Sequence, residues 1–169
     1  MENPNEEICL PAVGARTSSS GAWSDHRYDS ETPFTGKGAF FALSVADLDA
    51  SAKWYLEKLD LGVVFRTPKT ESVKSSVMVL AGGGLLVELI ETEHSSPLSK
   101  AAPGIKDRTL IQGFTKTGLI VDNFDRTLAA LRDRNVPILM GPFPAHDTTG
   151  LRNFIIEDNA GNLIQFFGK

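Results

Sequence analysis

The sequence predicts an α+β fold in which one strand–helix–three-strand unit occurs twice. Three observations support this: the order of elements repeats, matching segments keep nearly the same spacing, and the turns share the same chemistry. Residues 45–49 match residues 121–125 at an offset of 76, and residues 84–88 match residues 161–165 at an offset of 77. Because order, spacing and turns agree, we predict two βαβββ modules.

The first module is predicted at residues 38–91. Residues 39–45 form an apolar run typical of a strand, and Asp47 is predicted to cap the helix that follows. An apolar stripe marks the inner face of that helix: Leu48, Ala52, Tyr55, Leu56 and Leu59. Three further strands are predicted at residues 63–67, 76–81 and 85–91, with the three glycines at 82–84 as a hairpin turn.

The second module is predicted at residues 114–168. Its first strand covers residues 115–121, and Asn123 caps a helix through Arg134. The remaining strands are expected at residues 137–140, 151–157 and 162–167, with the last two joined by the turn at 158–161. A linker at residues 92–113 joins the modules, and its length is typical of a functional lid or a mobile segment.

Charge divides the chain into an acidic tail, residues 1–36, and a neutral domain, residues 37–169. The tail holds six acidic and two basic residues, whereas the domain holds fifteen of each. The tail lacks hydrophobic periodicity and is predicted to be disordered or loosely docked. A neutral domain argues against nucleic acid as a partner, because phosphate binding needs a basic surface.

Composition also predicts the compartment. Cys9 is the single cysteine, so no internal disulfide is expected, and no apolar run is long enough to span a membrane. The acidic N-terminus does not resemble a signal peptide. We therefore expect a cytoplasmic protein without a membrane partner.

Strand alternation assigns a face to each side chain of the predicted sheets. One set is almost entirely apolar and should pack under the helices. The other set mixes polar, small and aromatic residues, which is the pattern expected of a ligand-binding cavity. Its predicted members are Phe40, Ala42, Glu88, Lys116, Gly118, Gln165 and Phe167.

Two segments, residues 40–49 (FFALSVADLD) and 158–166 (DNAGNLIQF), resemble the vicinal oxygen chelate superfamily, which includes glyoxalase I, bleomycin-resistance proteins and extradiol dioxygenases. The resemblance covers about residues 38–168. It implies a glyoxalase-like fold, with a curled mixed sheet around a cavity between the modules and helices on the convex face. It also implies a homodimer.

The family's metal-ligand positions correspond here to Phe40, Glu88, Lys116 and Gln165. Glu88 is a good ligand and Gln165 a weak one, whereas Phe40 cannot coordinate and Lys116 is a cation. We therefore predict no metal and no cofactor, unless a divalent ion completes its site from elsewhere in the chain. In its place we hypothesise that the Lys116 ammonium pairs with Glu88 and donates to Gln165. The alternative is a Lys116 that reaches solvent beside a half-solvated Glu88.

The three histidines do not replace the missing ligands. His26 lies in the tail, and His94 follows two glutamates at what we interpret as a solvated loop. His146 and Asp147 lie in the loop before a strand, where an exposed histidine and a turn-forming aspartate are expected. The alternative is an acid–base pair at the mouth of the cavity.

Two functions follow from these residues. The first is a protein that binds a small, largely apolar molecule in the cavity, with an incomplete metal site. The alternative is an enzyme of the same superfamily, a lyase, isomerase or dioxygenase, that is metal-dependent or uses Lys116 and Glu88 as acid and base. A lysine in an apolar cavity has a lowered pKa, which suits it to base chemistry.

Overall fold

Two four-stranded mixed sheets, each covered on one side by a helix, form the fold. The computed structural model describes residues 40–147 and 149–169, with Arg108 described by its backbone alone. The predictions for the tail, for His26 and for Cys9 lie outside these residues. The first sheet has the strand order β1-β4-β3-β2 and the second the order β5-β8-β7-β6, so the two modules share one topology.

The first module contains one helix and four strands. The helix begins after Asp47, whose carboxylate accepts a hydrogen bond from the Ala50 amide at 2.8 Å, as predicted. The bounds are β1 (Phe40–Val45), α1 (Leu48–Leu59), β2 (Gly62–Thr67), β3 (Ser75–Gly82) and β4 (Leu85–Thr92). α1 packs on β3 and β4.

The second module repeats this arrangement. Asn123 accepts from the Arg126 amide at 2.9 Å and caps its helix, again as predicted. The bounds are β5 (Thr117–Val121), α3 (Phe124–Asp133), β6 (Ile138–Phe143), β7 (Arg152–Glu157) and β8 (Leu163–Gly168). The linker contributes a four-residue helix, α2 (Leu98–Ala101), and a 3-10 turn at Arg108–Leu110.

Two strand predictions need correction. β5 begins at Thr117 rather than at Thr115, so Lys116 precedes the strand. β6 runs to Phe143 rather than ending at Met140, because the chain keeps pairing with β7 through two irregularities. The Gly141–Pro142 peptide bond within β6 is cis.

The two modules also share irregular features of the backbone. β2 has a bulge between Val63 and Phe65, and β6 has one between Ile138 and Met140, at an offset of 75. Asp60 and Asn135, which follow the two helices at the same offset, both adopt a left-handed conformation. The two modules are therefore alike in backbone as well as in sequence.

One hydrophobic core spans both modules on the helix side of the sheets. Its largest fully buried side chains include Tyr55, Phe124 and Phe154. The rings of Phe124 and Phe154 meet edge to face, and Phe154 stacks on Phe166 with ring centroids 4.9 Å apart. Among the described residues no helix is long and apolar enough to cross a membrane.

Candidate functional site

The candidate site is the open face of each sheet, which we define as the side away from its helix. In β4, Leu85, Val87 and Leu89 are buried under α1, whereas Leu86, Glu88 and Ile90 are half-buried on the opposite side. β1 alternates in the same way, with Ala42 exposed and Val45 buried. The predicted division of side chains between the two faces is thus what the strands show.

Strand register places equivalent residues side by side on the two open faces. In the first sheet one row across the strands reads Ala42, Glu88, Val79 and Phe65. In the second sheet the matching row reads Gly118, Gln165, Ile155 and Met140. Each row therefore holds a small residue, a polar residue and two apolar residues in the same order.

The two polar members of these rows have different surroundings. Glu88 is half-buried between Ala42 and Val79. Gln165 is buried, and its amide nitrogen donates to the side-chain oxygen of Asn153 at 2.8 Å. Gln165 is therefore held in one orientation, whereas the Glu88 carboxylate has no hydrogen bond or ion pair within residues 40–147 and 149–169.

Gly118 is small for a reason that the sequence did not reveal. A Cβ atom at this position would lie 2.7 Å from the carbonyl oxygen of Gln165, closer than real Cβ atoms approach. The prediction that Gly118 simply leaves volume above the sheet is therefore incomplete. Glycine here permits the close approach of β5 to β8.

The hypothesised network of Glu88, Lys116 and Gln165 is not formed in the structure. Lys116 is exposed and makes no ion pair with Glu88 in the described part of the chain. Gln165 donates to Asn153 instead. The physical reason is that Lys116 precedes β5, whose paired residues begin at Thr117. Asn153 lies on β7 two residues from Ile155, the partner of Gln165, so its side chain is the diagonal neighbour of Gln165.

The remaining predicted site residues lie near these rows. Phe40 starts β1 and is 66% exposed, and Phe167 is half-buried beside Ile120 and Asn153. The structure brings Ala42 next to Glu88 and Gly118 next to Gln165. Within the described residues, the side chains of Glu88 and Gln165 do not hydrogen-bond to each other.

The donor set does not fit a divalent metal. The implied positions provide one carboxylate and one amide oxygen, together with a phenyl ring and an ammonium group, whereas a metal site needs three or more donors. Within the described residues no three His, Cys, Asp or Glu side chains are close enough to hold an ion. His94 and His146 are exposed, as the sequence predicts.

One polar contact between the modules has no signal in the sequence. The Tyr55 hydroxyl donates to the Asp158 carboxylate at 2.8 Å, and both residues are buried. Burial, and then the Asp158 charge, raise the pKa of Tyr55 far above its usual value. The sequence places Tyr55 in an apolar stripe and Asp158 in a turn. No local pattern relates two residues that are 103 positions apart.

The chain is similar to known proteins both in sequence pattern and in fold. Residues 39–166 match the family described as the Glyoxalase/Bleomycin resistance protein/Dioxygenase superfamily. No curated protein sequence matches the chain.

Solved structures with the same fold come from several bacteria. A glyoxalase family protein from Enterococcus faecalis has a TM-score of 0.60 at 17% identity, covering 76% of this chain and 94% of its own. A glyoxylase/bleomycin resistance protein/dioxygenase domain from Frankia sp. EAN1pec has a TM-score of 0.61 at 19% identity, covering 80% and 93%. An antibiotic binding protein from Streptomyces sp. CB03234 has a TM-score of 0.54 at 19% identity, covering 79% and 96%.

Proposed function

The chain belongs to the Glyoxalase/Bleomycin resistance protein/Dioxygenase superfamily, and from this premise we propose that it binds a small, largely apolar molecule on its open faces. The observation that carries the proposal is the pair of matching rows containing Glu88 and Gln165. A small-molecule site is mainly apolar, with a few polar groups that orient the ligand. Glu88 and Gln165 would supply the polar contacts, and Phe40 and Phe167 would supply apolar walls.

Binding is favoured over catalysis by the position of Lys116. Acid–base chemistry by Lys116 and Glu88 would need the lysine desolvated in an apolar cavity and close to the acid. Lys116 is exposed and does not contact Glu88 in the part of the chain that the structure describes. The antibiotic binding protein among the similar folds supports the same choice.

We further propose that a second copy of the chain covers the open faces. Large apolar side chains on both sheets are exposed in the single chain, including Phe65 at 43% and Met140 at 48%. Phe40 and Ile120 are exposed on the same two faces, and several exposed apolar side chains on one face favour an interaction site. A homodimer would bury these side chains and enclose the ligand. The cytoplasmic location rests on composition alone and stays a prediction.

The binding proposal is tested with Nile red, a neutral apolar dye that fluoresces when it leaves water. Ala42→Phe places a ring beside Glu88 and is expected to weaken dye binding at least fivefold, as measured by fluorescence titration. Ala129→Phe makes the same change at an exposed position on α3 and should leave binding unchanged. Equal affinities for the wild type and Ala42→Phe would overturn the proposal.

The incomplete metal site is tested by elemental analysis of the dialysed protein. We expect well below one equivalent of nickel, zinc, iron or manganese per chain, because only Glu88 is a strong ligand at the implied positions. One tightly held equivalent that is lost in Glu88→Ala would show that the site is complete. A metal that persists in Glu88→Ala would be bound elsewhere, which agrees with the proposal for these positions.

A further inference from the structure

A concavity lies on the helix side of the sheets, opposite the open faces. It has a volume of about 270 Å³ and is bounded by the end of α1, the β3–β4 turn and α3. Its lining includes three basic residues and an apolar floor: Lys58, Arg126, Arg134, Leu85, Leu119 and Phe166. None of the described residues that line it is acidic. We call it the helix-side cleft.

The cleft lies beside a local two-fold relation between the modules. Lys58 and Arg134 are equivalent positions at the repeat offset of 76. The Lys58 ammonium donates to the Arg134 carbonyl oxygen at 2.6 Å, and the Arg134 guanidinium donates to the Lys58 carbonyl oxygen at 3.2 Å. Such an exchange between equivalent residues is the pattern that a two-fold axis produces.

The two sides of this axis are filled differently. On one side Tyr55 and Asp158 meet in a buried hydrogen bond. Their equivalents on the other side, at the offset of 76 that also relates Val79 to Ile155, are Leu131 and Gly82, and both line the cleft. The hairpin turn of the first module therefore has Gly82 where the second module has the Asp158 carboxylate. Likewise α3 has Leu131 where α1 has the Tyr55 phenol. The cleft lies where these two groups are missing.

The charges around the cleft select the ligand. Lys58 and Arg134 are engaged with each other's carbonyl groups, and Arg134 also lies 3.8 Å from Asp60. The Arg126 side chain forms no hydrogen bond or ion pair within residues 40–147 and 149–169, although its backbone amide donates to the Asn123 side chain that caps α3. Arg126 is therefore available to bind an anion, and a guanidinium binds a carboxylate through two parallel hydrogen bonds.

We propose that the helix-side cleft binds a small amphipathic monocarboxylate, with its aromatic or branched apolar group on the Leu85 and Phe166 floor and its carboxylate on Arg126. The volume lies just below the usual range of ligand pockets, about 300 to 1,000 Å³, so only a small molecule would fit. An apolar floor favours an organic acid over a fully hydrated inorganic anion. This site is separate from the open faces and does not depend on the function proposed for them.

Phenylacetate is the probe, and phenylacetamide is its neutral control. Titration of the full chain, followed by amide chemical shifts in NMR, should show phenylacetate perturbing α3 and the β3–β4 turn. Phenylacetamide should bind at least fivefold more weakly. Absence of phenylacetate binding would overturn the proposal. Chemical-shift changes confined to Gly118 and Gln165 would also overturn it and would instead support a ligand on the open face.

Two variants and one control complete the test. Arg126→Gln should weaken phenylacetate binding at least fivefold while leaving phenylacetamide unchanged, because it removes only the charge. Arg132→Gln makes the same change at an exposed position on α3 outside the cleft lining and should have no effect. Leu131→Tyr introduces a phenol at the position equivalent to Tyr55. Because the larger side chain would occupy the cleft, binding of both probes should be abolished. If Leu131→Tyr does not fold, Arg126→Gln decides, and unchanged phenylacetate affinity in that variant would contradict the proposal.

Discussion

Among single residues, Tyr55 makes a contact that links the two modules. Its hydroxyl donates to Asp158, whose carboxylate also accepts from the Ala160 and Asn162 amides at 2.9 and 2.7 Å. The β7–β8 turn is thus organised around one buried carboxylate that reaches back to α1. Loss of one donor removes a charge-assisted bond but leaves the turn's own hydrogen bonds in place.

Tyr55→Phe should lower the free energy of unfolding by about 1.5–3 kcal/mol at neutral pH, the usual value of a hydrogen bond to a charged group. The folded-state pKa of Tyr55 is raised, so its stabilisation is present below pH 10, where the unfolded tyrosine is protonated. Stability should therefore fall as the pH rises above about 10, by about 1.4 kcal/mol per pH unit from this group. Urea unfolding of both proteins between pH 8 and 11 measures the difference. An equal alkaline loss in Tyr55→Phe would contradict this assignment.

Gly118→Ala should destabilise the protein by about 1–3 kcal/mol, a typical cost of overpacking, because the new methyl group meets a backbone oxygen that cannot move aside. Gly62→Ala is the matched control. Its Cβ would lie 3.8 Å from the nearest atom, an ordinary contact, and the change should be neutral or stabilise by up to about 1 kcal/mol. Thermal unfolding compares the two, and equal effects would argue against the close approach of β5 and β8.

Helix caps are the clearest feature at the scale of elements. Asp47 and Asn123 hold equivalent positions and each accepts from the amide three residues later. The cap bonds satisfy backbone donors that a helix leaves unpaired in its first turn. The start of each helix is therefore set by local chemistry, which is why both starts are predicted correctly from sequence.

Asp47→Ala should lower stability by about 1 kcal/mol, since alanine cannot accept the Ala50 amide. Asp47→Asn keeps an acceptor oxygen, as Asn123 does in the second module, and should stay within about 0.5 kcal/mol of the wild type. Chemical denaturation separates the variants. A loss in Asp47→Asn as large as that in Asp47→Ala would show that charge, rather than the cap bond, is responsible.

The whole molecule combines a closed core with two exposed open faces. The core lies on the helix side and spans both modules, while Phe65 and Met140 remain exposed on the other side. A second copy that covers these residues would place the rows of Glu88 and Gln165 inside an enclosed cavity. The proposed ligand site and the proposed dimer are therefore linked.

The double variant Phe65→Glu, Met140→Glu should be monomeric, whereas the wild type should be a dimer by light scattering coupled to size-exclusion chromatography. Burying two carboxylates in an apolar interface is costly, so dissociation is the expected result. Ala129→Glu adds a charge at an exposed position on α3 and should remain dimeric. A monomeric wild type would contradict the dimer directly, and circular dichroism checks that the double variant is folded.

Local signals in the sequence determined the two βαβββ modules, the caps at Asp47 and Asn123, and the side of the sheet on which Val87 and Glu88 lie. Periodicity, capping and turn chemistry act over a few residues, so they can be read along the chain. The tertiary structure alone decided that Gln165 pairs with Asn153 rather than Lys116, that Tyr55 meets Asp158, and that a cleft lies beside Leu131. Each of these depends on how closely two distant segments approach, and that distance follows from packing rather than from any spacing in the sequence.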